Sequence, residues 1–177
     1  MIWLAVLLFQ AAAGTPQTEP AQATTFSGPP QAQSGYKLFF ESTKGQPCGA
    51  CHVLAGRGTP AGPDLKAVAR LPARAFVMAI KSTRTQYVQK VEPKTGDPFP
   101  AMKVKEDDKV VELYDLSKTP PELRKMEKAE IGSMKDNDSW KHPPSSLEYT
   151  NEELADIIAF IKWVGYRHSA GVKASEL

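Results

Sequence analysis

Cys48-Gly49-Ala50-Cys51-His52 is the stretch on which the reading of this chain turns. It has the form C-x-x-C-H, and its two cysteines are the only ones among 177 residues. That spacing is the attachment pattern of c-type haem. Each thiol can add across one vinyl group of the porphyrin. Two intervening residues let a single short turn present both sulfurs. The next residue, His52, then lies under the iron with an imidazole nitrogen. Three plainer readings compete. A thioredoxin-like redox pair needs a βαβ context, and none follows. A zinc site lacks a second pair of thiols, with only His142 and His168 left. A plain disulfide would suit an exported chain. Haem attachment is preferred because the residues beyond the motif agree with it.

Upstream, Gly35-Tyr36-Lys37-Leu38-Phe39-Phe40-Glu41 is a short helix candidate leading into the motif. Downstream, Gly56, Gly58, Pro60, Gly62 and Pro63 mark a loop. Pro63-Asp64-Leu65 opens a turn of helix. Pro72 to about Ser82 reads as a second helix, with proline in its first turn and Phe76, Val77 and Ile80 on one side. Three short strands are expected farther on: Phe99 to Val104, Val110 to Leu116 and Leu123 to Ile131, where Leu123, Met126 and Ile131 would also fit a helix. Lys94-Thr95-Gly96-Asp97-Pro98, Glu106-Asp107-Asp108 and Thr119-Pro120-Pro121 supply the turns. The clearest helix comes last. Thr150-Asn151-Glu152-Glu153 is a capping box. Leu154, Ile157, Ile158, Ile161 and Val164 follow at helical spacing. Gly165 is the expected stop, with a frayed tail over 169–177.

The ends and the charge balance bound the context. Ile2 to Phe9 is apolar, and Ala11-Ala12-Ala13 offers a small-residue cleavage site, so residues 1–13 read as an export signal without the usual positive start. The apolar run is too short to span a membrane, so no stable span is expected after cleavage. Residues 14–33 are mostly Pro, Gln, Thr, Ala and Gly and read as a disordered linker. Residues 34–168 then form the single domain. With 22 Lys plus Arg against 20 Asp plus Glu, the net charge of +2 gives no case for nucleic acid.

In this order, the pieces resemble a class I monohaem c-type cytochrome domain over roughly residues 34–166. The resemblance rests on Gly35 and Phe39 before the motif, on the motif itself, on Gly62-Pro63-Asp64-Leu65 and on the terminal helix from Glu152 to Phe160. It implies a mainly α, cytochrome c-like helical fold around one covalent haem c, with a small β insertion at about 86–131. The first and last helices would cross where Gly35 and Phe39 meet Phe160. The carbonyl of Pro63 would accept a hydrogen bond from the outer nitrogen of His52, fixing the ring and raising its basicity. The insertion is similar to one found in bacterial haem domains that accompany periplasmic dehydrogenases.

The sequence departs from the family at the sixth iron ligand. The usual methionine, followed by proline, is replaced in Trp140-Lys141-His142-Pro143 by His142. Aligned this way, His52 and His142 are the metal ligands, and Met134 is the alternative. Met78, Met102 and Met126 are expected in the core, and His168 at the surface. Imidazole in place of thioether stabilises ferric iron and lowers the potential.

The resulting expectation is an exported, periplasmic electron carrier rather than an enzyme. Its cofactor-binding residues are Cys48, Cys51, His52 and Pro63. Its partners are a redox donor and acceptor, with a periplasmic dehydrogenase as one candidate. Two alternatives stand beside it. The first is a haem subunit docked on such a dehydrogenase. The second is an open sixth site with peroxide or gas chemistry.

Overall fold

A computed structural model describes residues 26–41, 44–81, 87–143 and 148–177. The expected signal at 1–13 and most of the expected linker lie outside these residues. The described part holds three α-helices: α1 (Pro30–Glu41), α2 (Ala73–Lys81) and α3 (Asn151–Tyr166). Between α2 and α3 lie five strands: β1 (Val88–Pro93), β2 (Phe99–Glu106), β3 (Val110–Asp115), β4 (Glu122–Glu127) and β5 (Ile131–Asp136). They form one antiparallel sheet in the order β4-β3-β2-β1-β5.

This architecture overturns the mainly helical expectation. The protein is α+β, with a sheet that is a structural layer of its own rather than a small insertion. The three expected strands correspond to β2, β3 and β4. β1 and β5 extend the sheet on one side. Neither advertises itself by alternation. Val88 and Val91 stand three apart, and Ile131 and Met134 do the same, a spacing that favours neither face of a strand. Long-range pairing settles the matter, since Val91 lies between Phe99 and Met134 in the register.

The helical layer is organised where α1 and α3 cross. Gly35 sits at that crossing. A Cβ there would run into the Asp156 carbonyl and the Cβ of Phe160, so only glycine admits the approach. Phe39 packs edge-on to Phe160 with ring centroids 5.5 Å apart. The cap of α3 forms as read: Glu153 N–H donates to Thr150 Oγ1 at 3.2 Å, and Thr150 N–H donates to the Glu153 carboxylate at 2.8 Å. Pro72 immediately precedes α2.

Three boundaries differ from expectation. α1 begins at Pro30, inside the segment read as linker, because Phe26 stacks on Tyr36 at 5.1 Å and anchors the approach to the helix. Gly165 does not stop α3. It packs against Ala69, and Arg167 ends the helix in the left-handed region at φ 60°. The tail after the helix is tied down. Gln31 donates to the Val172 carbonyl at 2.8 Å and accepts from its N–H at 2.9 Å, and Val172 is buried.

The molecule has two cores. One joins the helices through Phe39, Leu54, Phe76, Ile157, Ile158 and Phe160. The other lies on one face of the sheet and consists of Val91, Phe99, Ala101, Val111, Leu113 and Met126. The buried Asp115 beside it accepts from Arg124 at 3.1 Å and from the Ser117 hydroxyl at 2.6 Å. Among the described residues, no helix is long and apolar enough to cross a membrane.

Candidate functional site

The motif Cys48-Gly49-Ala50-Cys51-His52 forms a 3₁₀ turn, Cys48–Ala50, that follows Pro47. The Cys48 carbonyl accepts from both Cys51 N–H (3.1 Å) and His52 N–H (2.9 Å). The turn is held to the loop after it, with Thr59 N–H donating to Gly49 O at 3.0 Å and Gly62 N–H to Cys51 O at 2.6 Å. Both cysteines are free thiols. Burial pushes each of them up to about 11, so they are protonated at neutral pH. A neighbouring Cys51 adds to the rise at Cys48, and Gln46 Nε2, donating to Cys51 Sγ at 3.2 Å, opposes it at Cys51.

His52 is set from below. Its Nδ1 lies 2.8 Å from the Pro63 carbonyl, the contact the resemblance implies. A carbonyl only accepts, so Nδ1 carries the hydrogen. Burial, opposed by this bond, lowers the pKa of His52 and favours the neutral ring. The remaining nitrogen, Nε2, then holds the lone pair that a metal needs. Gly62 lies flat against the imidazole. A Cβ there would come within 2.5 Å of Cε1, so a side chain would displace the ring.

Cys48, Cys51, His52 and Pro63 line one mostly apolar cavity of about 730 Å³. That volume falls within the ~300–1,000 Å³ usual for small-molecule and cofactor sites. Helices supply Phe39, Phe76, Ile157 and Ile161 to its wall. The sheet layer supplies Tyr87, Val88, Met102 and Leu116. Among the described residues, no group of His, Cys, Asp or Glu converges as a bare metal ion would require.

His142 also lines the cavity. Its pKa is lowered first by burial and then by repulsion from His52, which lines the same cavity. Its Nδ1 is enclosed and has no hydrogen-bond partner among the described residues. Trp140 packs near the ring at 5.6 Å. A buried imidazole nitrogen without a partner is costly, and a bound group that engages this ring would offset the cost.

Met134, the alternative ligand, lies elsewhere. It pairs with Val91 in β5 and packs on the sheet core, outside the cavity lining. The expectation for Met102 is corrected in the other direction. It does not belong to the sheet core but faces the cavity. Met126 is buried as expected, whereas Met78 is 66% exposed. His168 is half-buried, 3.2 Å from the Gly171 carbonyl and stacked near Tyr166.

The sheet-borne lining is what the sequence alone could not supply, since strand pairing brings those residues to the motif. Thr119, in the turn before β4, reaches back to Gln46 at 3.4 Å and so links that layer to the segment leading into Cys48. In comparison with known proteins, no family model matches the chain and no curated protein is significantly similar to it.

Proposed function

We propose that this chain is an exported one-electron carrier that holds a single c-type haem in the cavity above Cys48, Cys51 and His52. The observation that carries the reading is the convergence of two half-buried thiols and two imidazoles on one mostly apolar cavity of cofactor size. The haem, when bound, supplies an iron that exchanges one electron. The residues do the rest. Cys48 and Cys51 would hold the ring, each thiol adding across one vinyl group. His52 is oriented by Pro63 so that Nε2 is the ligating atom. His142, on the same cavity, would supply a second imidazole to the iron and would keep small molecules from it. Phe39, Phe76, Ile157 and Ile161 keep water from the ring faces. Redox proteins serve as donor and acceptor, and a dehydrogenase outside the cytoplasm fits the donor role.

The test is the absorption spectrum of the protein made in a host that matures c-type haem, for wild type and His142→Ala, oxidised and reduced. The wild type should be low-spin without the weak far-red band of sulfur ligation, and the variant should turn high-spin. A sulfur band that survives the substitution contradicts the assignment of His142. Met102 is then the methionine to replace, because it lines the cavity.

A further inference from the structure

We infer that Lys162 is a positioning residue of a second kind: a buried cation that biases the haem toward its reduced state. The inference rests on the haem reading above. Lys162 lies on α3 and is only 7% exposed. Its Nζ donates to the carbonyls of Ala69 (3.2 Å) and Leu71 (2.6 Å) and to the Tyr166 hydroxyl (3.4 Å). An ammonium has three N–H donors, and here three oxygens meet them. None of the three is anionic. Among the described residues, no carboxylate lies within ion-pair distance of it. The rings of Phe76 and Tyr166 each stand 5.7 Å from Nζ.

The position gives this charge its reach. Leu71, Phe76 and the adjacent Ile161 all line the haem cavity, so the cation sits one side chain behind its wall. The acidic groups at the cavity, Asp64 and Asp138, are exposed, and water screens them. Lys162 acts through a low-dielectric layer instead. Ferric iron carries one more positive charge than ferrous iron. An unneutralised cation nearby therefore opposes loss of the electron to a redox partner and favours its gain. This offsets part of the lowering that imidazole ligation from His142 produces.

The charge and the hydrogen bonds are separable. Lys162→Arg keeps both. Lys162→Gln keeps donors for the carbonyls and removes the charge, and Lys162→Met removes both. Lys37→Gln removes an exposed charge on α1 as a control. The measurement is a spectroelectrochemical titration of the full haem-loaded protein. At a fixed applied potential, the ferrous-to-ferric ratio should fall by about two- to tenfold in Lys162→Gln and Lys162→Met. It should stay near wild type in Lys162→Arg and Lys37→Gln. A Lys162→Gln protein with the wild-type spectrum and an unchanged ratio overturns the inference. So does a result in which neither neutral variant folds while Lys162→Arg does, since the cation would then serve folding alone. A wild type without covalent haem is a different failure, that of the haem reading itself, and it is seen before any variant is titrated.

Discussion

Phe39, Ile157 and Ile161 of the helices border a large cavity, whereas Val91, Val111 and Leu113 of the sheet close on one another. Both layers bury apolar side chains, yet they share no buried core residue. The helical layer leaves about 730 Å³ beside its core and two thiols in its wall. The sheet satisfies its buried Asp115 with Arg124 and Ser117 and lends the cavity only a few side chains from its other face. The difference teaches where the binding energy of the proposed haem would enter. A haem would stabilise the helices directly, and the sheet mainly as a cover over one side of the site.

Substitutions can break this separation if it is false. The largest effect should come from Leu113→Ala, which empties a fully buried site in the sheet core. It should cost about 2–5 kcal/mol of stability by denaturant unfolding. The haem spectrum at room temperature should not change. A variant that loses the spectrum would show that the two cores are coupled. Gly35→Ala is the complementary probe. Its new methyl group meets the Asp156 backbone and Phe160 at the helix crossing. The cost should be about 1–3 kcal/mol. Here the haem spectrum should melt at a lower temperature than in wild type, because the crossing holds Phe39 at the cavity wall.

The smallest effect concerns acid. Glu106, at the end of β2, is held by Lys103 and Lys128, each at 2.7 Å, and its carboxyl is lowered from 4.5 to about 2. A depressed folded-state pKa gives stability that is complete above the unfolded value. That stability is lost as pH falls through the folded one. The sheet should therefore weaken between about pH 4.5 and about pH 2. Glu106→Gln should remove part of this slope without touching the haem spectrum. An unchanged slope would mean that other carboxylates carry the acid sensitivity.

How much of this was legible in the sequence follows the same division. The Pro63 contact followed only from the family resemblance, whereas the Cys48–Ala50 turn and the capping box of α3 are local, each set by residues close together in the chain. They were readable for that reason. His142 was legible only through its place before Pro143, and the structure adds that its Nδ1 has no partner among the described residues and that its ring lines the same cavity as His52. The sheet was half legible. β2, β3 and β4 announce themselves by β-branched residues and turns, whereas β1 and β5 exist because distant partners pair with them. Met102 was read as core and Met134 as a possible ligand, and strand register reverses the two. Nothing in the sequence around Lys162 marks it as buried. Its burial depends on Ala69 and Leu71, far away in sequence.

The most direct test of the central claim is the mass of the intact denatured chain, produced where c-type haem is matured. The mature chain should carry the added mass of one haem that survives denaturation, and Cys48→Ala/Cys51→Ala should lack it. A wild-type chain at its bare polypeptide mass, or two mass units lighter with Cys48 and Cys51 joined, would contradict the account.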